Sequence, residues 1–149
     1  GQAQAEAQQV RLFLDSSVLL AASGSAKGAS RFLVEHGTGA GWTLLSSHYC
    51  HEETQRNLPK LGPTALHWFA EEMEATIEWQ ADALSAEQAV IFPKAKDRPV
   101  LVTALAAKAA VLLTLDRADF QTLLGSQFYG MRILTPGDWL TERREAGEI

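Results

Sequence analysis

The chain predicts an α/β fold, a three-layer α/β/α sandwich around a central, mostly parallel sheet. Three observations carry that prediction. Two short apolar runs, Val10-Arg11-Leu12-Phe13-Leu14 and Val111-Leu112-Leu113-Thr114-Leu115, read as buried strands. Helical segments alternate with these and further strand-like runs, the pattern that builds parallel sheets covered on both faces. Each of the two runs leads straight into a carboxylate, Asp15 and Asp116. In open α/β sheets ligands gather at the carboxyl ends of strands, where both would stand.

The elements follow in order. After the first strand, Ser16 to Ala22 reads as a short helix with Asp15 or Ser16 as its N-cap. Residues 23–28 form a loop. Ala29 to His36 is a helix with Phe32 and Leu33 turned inward, stopped by Gly37, Gly39 and Gly41. Trp42 to Leu45 is a second strand. Ser46 or Ser47 caps the next helix, which carries Glu52 and Glu53 and ends near Pro59. Pro63 opens another helix, with Leu66, Phe69 and Met73 spaced for one face. Ala75 to Trp79 reads as a third strand, and Leu84 to Phe92 as helix or turn followed by a short extended piece. Residues 93–99 form a basic loop around Asp97, and Val100 to Ala110 is a helix rich in Ala and Leu. A short helix from Ala118 to Leu124 follows the strand that begins at Val111. Met131 to Leu134 is the last strand, and Thr135 with Pro136 starts a terminal helix.

At 149 residues the chain is read as one domain over residues 10–149, after an N-terminal extension over 1–9. That extension has no basic start and no apolar core, so it is not read as a signal peptide. The net charge of −5 argues against a broad basic surface for duplex nucleic acid, but a bound divalent cation inverts charge locally. Cys50 is the single cysteine, which excludes an intramolecular disulfide and suits a reducing, cytoplasmic setting. No apolar run reaches the roughly 18–20 residues that span a bilayer, so no membrane is expected.

Four acidic residues recur at element junctions: Asp15, Glu53, Asp97 and Asp116, with Asp119 close behind. Singly, each Asp has a plain reading as a helix cap and Glu53 as a solvated helix residue. Gathered at one crevice, the carboxylates would repel and raise one another's pKa, a penalty that a hard divalent cation removes. Mg²⁺ or Mn²⁺ is the oxygen-seeking candidate, and such a site suits phosphodiester hydrolysis with one ion or two.

With these residues in place the sequence resembles the PIN domain, the metal-dependent ribonuclease fold of VapC-type toxins in bacterial toxin–antitoxin pairs. The resemblance rests on residues 12–19, Leu-Phe-Leu-Asp-Ser-Ser-Val-Leu, and on Ser47 through Glu53 to Leu58. It continues with residues 96–101 leading into Ala104 and Leu105, residues 113–120, and Ile133 to Pro136. It implies that Asp15, Glu53, Asp97 and Asp116 hold Mg²⁺ or Mn²⁺ and are catalytic, with Asp119 as a fifth ligand, direct or through water. Ser16 or Ser17 and Thr114 match small polar positions that orient the carboxylates or a water. Ser17 stands where many relatives have Asn. Glu52 and Glu53 point about 100° apart on a helix, and Glu53 fits the family pattern better. The implied reaction is endonucleolytic hydrolysis of single-stranded or structured RNA by an activated water, with Asp97 or Asp116 orienting or deprotonating it. Lys94, Lys96, Arg98, Arg56 and Arg117 lie near these motifs and are candidate phosphate contacts. The implied partners are an RNA substrate, a small antitoxin that blocks the acidic crevice with Arg or Lys, and a second copy of the chain in a homodimer.

Other signals are weaker. The stretch from His51 to Gln55 lacks the second His of HExxH, and His48 with His51 has no evident third zinc ligand. Cys50 has no obvious partner base and reads as a buried apolar residue. Trp42, Trp68, Trp79 and Trp139 could stack bases, but core packing is the default. Two other functions compete with the nuclease. One is a catalytically silent PIN-like module that binds RNA or protein. The other is a phosphoacceptor or phosphatase-like domain using Asp15, disfavoured because position 17 is Ser rather than a second Asp.

Overall fold

The computed structural model describes residues 9–83, 98–116, 124–125 and 127–149. Within them runs a six-stranded sheet. Its strands are β1 (Val10–Leu14), β2 (Trp42–Ser47), β3 (Glu78–Gln80), β4 (Val111–Leu113), β5 (Gln127–Phe128) and β6 (Met131–Leu134), in the order β3-β2-β1-β4-β6-β5. All neighbours are parallel except β5 and β6. The fold is therefore the three-layer, mostly parallel α/β arrangement that the alternation predicts.

All six residues of β2 and all three of β4 are buried. Successive strand residues point to opposite faces, so burial of every one requires cover on both sides. Leu12, Phe13 and Leu14 of β1 are each fully buried, which makes this central strand the spine of the core. Burying a side chain such as Phe13 contributes about 1.5–3 kcal/mol. The cover comes from α1 (Ser16–Gly24), α2 (Ala29–His36), α3 (His48–Asn57), α4 (Pro63–Trp68), α5 (Arg98–Ala106) and α6 (Pro136–Glu145). No helix among the described residues is long and apolar enough to cross a membrane.

Several boundaries differ from the sequence reading, each for a physical reason. β2 runs two residues further, because Ser46 donates to the Leu14 carbonyl at 2.6 Å and remains in the sheet. Ser47 is thus the residue that caps α3, accepting from Cys50 N at 3.1 Å. α4 continues through a π-helical turn, Phe69–Met73, into Glu74–Thr76. That wider turn keeps Ala65, Phe69 and Met73 buried and leaves Leu66 at 38% exposure, so Leu66 does not share the apolar face. Helix therefore occupies Ala75 and Thr76, and β3 starts only at Glu78. On α2, Leu33 and Val34 are buried, while Phe32 is half-buried and stacks on His36 at 4.4 Å.

β4 ends at Leu113, so Thr114 and Leu115 belong to the turn rather than the strand. α5 begins at Arg98 and stops at Ala106, with Lys108 in the left-handed region at φ 58. The sequence carries no signal for β5. Two residues carry no periodicity, and the hairpin turns through Tyr129 and Gly130, both at positive φ, rather than through the usual Asn-Gly pair. The expectations for Leu84 to Phe92, the 93–97 part of the basic loop and residues 118–123 lie outside the described residues.

Candidate metal centre

The chain runs outward from β1 through β2 to β3 on one side, then crosses back to place β4 on the other side of β1. The carboxyl ends of β1 and β4 therefore flank the point where strand order reverses, the usual position of a ligand crevice. Leu14 pairs with Leu113, which sets Asp15 beside Thr114 one residue further on. Asp15 N donates to the Leu113 carbonyl at 3.0 Å and Thr114 N to the Leu134 carbonyl at 3.0 Å, so both positions are fixed by the ladder itself.

Asp15 stands at the N-cap position of α1, and its carbonyl accepts from Val18 and Leu19. Its side chain makes no cap hydrogen bond. Oδ2 instead accepts from Ser17 Oγ and from Thr114 Oγ1, each at 2.9 Å. Both hydroxyls also accept from the turn after β4: Leu115 N donates to Ser17 Oγ and Asp116 N to Thr114 Oγ1, each at 3.0 Å. Two hydroxyls thus tie one carboxylate to the backbone that carries Asp116.

Glu53 reaches the same place from α3. Ser16 Oγ donates to Glu53 Oε1, joining the first turn of α1 to α3. Glu53 is half-buried and Glu52 exposed, so of the two adjacent acids it is Glu53 that turns toward Asp15. α3 is held in place by Ser47 at its start and by Asp82, which accepts from Tyr49 N at 2.9 Å. His51 Nε2 meets Glu74 Oε1 at 2.5 Å and binds α3 to the end of the α4 rod. Asp82 is not among the residues that the sequence singles out. Its signal was an acid two residues beyond a strand, at the same carboxyl edge.

Asp15 is only 7% exposed. Burial raises its pKa above the ordinary 3.8. The Thr114 and Ser17 hydroxyls and the Ser16 amide pull in the other direction, and the charge of Glu53 adds to the rise. Cys50 lies buried on the first turn of α3, and burial, with Asp15 nearby, pushes its thiol up to about 12.

The structure therefore brings Asp15, Ser16, Ser17, Glu53 and Thr114 together and fixes the backbone of Asp116, itself half-buried, beside them. Among the described residues, no three His, Cys, Asp or Glu side chains form a metal-holding group. Asp97, Asp119, Lys94, Lys96 and Arg117 lie outside the described residues. Arg56 is exposed one turn beyond Glu53, and Arg98 is exposed at the start of α5.

The donor set fits a hard divalent cation. The available donors are oxygen: Asp15 is buried with a like charge at its side, and among the described residues no Lys, Arg or His pairs with it. Mg²⁺ in particular needs only one or two carboxylates from the protein.

An α/β domain with carboxylates at its topological switch point is the class that fold and geometry define. The family model described as PIN domain matches residues 11–118, and the chain belongs to the PIN domain family. Among solved structures, a chain in the crystal structure of VapBC2 from Rickettsia felis bound to a DNA fragment from their promoter shares the fold. The TM-score is 0.55 and the identity 15%, over 84% of this chain and 97% of that one. No curated protein matches the chain in sequence.

Proposed function

We propose that this PIN domain is a divalent-metal-dependent endoribonuclease, the toxin of a toxin–antitoxin pair. The observation that supports the reading best is Asp15, a buried carboxylate held by two hydroxyls at the β1/β4 switch point, with Glu53 beside it and no basic partner among the described residues.

Asp15 and Glu53, with Asp97 and Asp116, are the residues assigned to hold Mg²⁺ or Mn²⁺, and Asp119 the fifth. When bound, the cation would lower the pKa of a water and neutralise charge developing on the phosphodiester. Ser17 and Thr114 fix the Asp15 carboxylate in orientation, because both donate to the same oxygen. Ser16 aims Glu53. Arg56 and Arg98, with Lys94, Lys96 and Arg117, are assigned to the RNA phosphates as screened, positional contacts. An antitoxin would silence the crevice by inserting Arg or Lys between the carboxylates, a charge-assisted substitute for the cation.

The test is cleavage of a mixed single-stranded RNA by the purified chain with Mn²⁺ or Mg²⁺, with EDTA, and with Asp15→Asn. Cleavage with metal that disappears in both controls supports the reading. Equal cleavage by wild type and variant places the activity elsewhere and overturns the site.

A further inference from the structure

The face of α3 that carries Glu53 continues past the acid. Asn57 lies one turn further on, and its Nδ2 donates to the Glu53 carbonyl at 2.8 Å. Lys60 follows on the 3₁₀ turn Leu58–Leu61, and its Nζ donates to Asn57 Oδ1 at 3.0 Å. Positions 53, 57 and 60 form one stripe at the spacing of helical neighbours. Arg56 flanks it, exposed.

The chain carries 18 acidic against 13 basic residues, yet the Lys60 ammonium is steadied by a neutral amide. Neither Lys60 nor Arg56 has a carboxylate partner among the described residues. A lysine whose charge a carboxylate neutralises gives little to a phosphate. One positioned by a carboxamide keeps its full charge and two further N–H donors. By contrast, Arg132, Arg143 and His51 are all paired with glutamates.

We propose that Lys60, held by Asn57 on the Glu53 face of α3, forms with Arg56 a phosphate-binding subsite for the RNA strand leading away from the carboxylates. The inference rests on the ribonuclease reading and adds the path of the substrate. Rises of 1.5 Å per helical residue and 2.0 Å per 3₁₀ residue put Lys60 about 12 Å along the axis from Glu53. A stacked strand advances about 3.4 Å per nucleotide, so the subsite meets a phosphate about three to four nucleotides from the scissile bond, fewer if the strand is extended. The contact is to backbone and is indifferent to base sequence.

The experiment measures binding of a fluorescein-labelled 16-nucleotide oligouridine to the full chain in EDTA, by anisotropy, from 25 to 200 mM salt. Wild type is compared with Lys60→Gln, Arg56→Gln and Lys108→Gln. Lys108 is exposed at the amino end of the sheet and serves as the charge control. Lys60→Gln and Arg56→Gln are each expected to weaken binding several-fold and to flatten the slope of log affinity against log salt by about 0.7, one phosphate contact on a single strand. Lys108→Gln is expected to leave both unchanged. If wild type binds and Lys60→Gln matches it in affinity and slope, or if Lys108→Gln loses as much, the subsite is refuted and the ribonuclease reading stands. If wild type binds no RNA and cleaves none with metal, that reading fails and the subsite falls with it.

Discussion

Thr114→Val isolates one hydroxyl while leaving shape almost unchanged. Thr114 is fully buried, and its Oγ1 donates to Asp15 Oδ2 at 2.9 Å and accepts from Asp116 N at 3.0 Å. Valine removes both bonds. A hydrogen bond to a charged group contributes about 1.5–3 kcal/mol and a neutral one about 0.5–1.5 kcal/mol. Asp116 is half-buried, so its amide recovers part of the second contribution from water. The expected loss is about 2–3 kcal/mol, which for a domain of this size lowers Tm by about 5–10 °C. Combined with Asp15→Asn, a double-mutant cycle should show coupling of about 1 kcal/mol or more, because the two groups touch. Groups that orient a metal ligand typically change affinity by about 10–100-fold, so Mn²⁺ binding by calorimetry should weaken within that range while the folded circular dichroism spectrum persists. A loss below about 0.5 kcal/mol together with unchanged Mn²⁺ affinity would refute the idea that this hydroxyl organises Asp15.

Three further predictions follow from particular contacts. Asp15 has a folded pKa raised above 3.8 by burial, so the native state binds its proton more tightly than the unfolded chain does. Its ionisation therefore erodes stability as pH rises through the raised pKa. Metal-free Asp15→Asn should gain on wild type most at pH 7, with the gain shrinking as pH falls toward 4; a gain independent of pH in thermal melts argues against a buried charge. Cys50, with its thiol pushed up to about 12, should resist iodoacetamide at pH 8 until the chain is unfolded, as read by intact mass, and rapid alkylation of native protein would contradict its burial. At Gly37 an added Cβ would come within 2.5 Å of the Leu33 carbonyl oxygen and 3.2 Å of the Trp42 ring. Gly37→Ala should cost about 1–3 kcal/mol in urea denaturation, and a neutral result would mean that the α2–β2 junction yields easily.

Elements whose signals are local are legible in the chain alone. The apolar run at Val10–Leu14, the Thr135 cap and the Pro63 and Pro136 starts each follow from side chains acting on their own backbone, and they stand where the sequence predicts them. Between Ser46 and Ser47, which the sequence leaves open as the α3 cap, the bond from Ser46 to the Leu14 carbonyl decides. The order of strands and helices sufficed for the α/β class, and the acids at the ends of two apolar runs stand at the switch point where the site is proposed. The remaining features depend on partners distant in the chain. That Asp15 gives its carboxylate oxygen to two hydroxyls instead of capping its helix depends in part on Thr114, 99 residues later. The family pattern favours Glu53 over Glu52, but what holds Glu53 in place is Ser16, 37 residues earlier. β5 and the π turn that buries Phe69 and Met73 likewise exist because of what they pack against. A helix cap is a contest within one turn, which residue type can settle. The direction of a buried carboxylate is settled by whichever donors the fold brings into reach, and no local pattern encodes them.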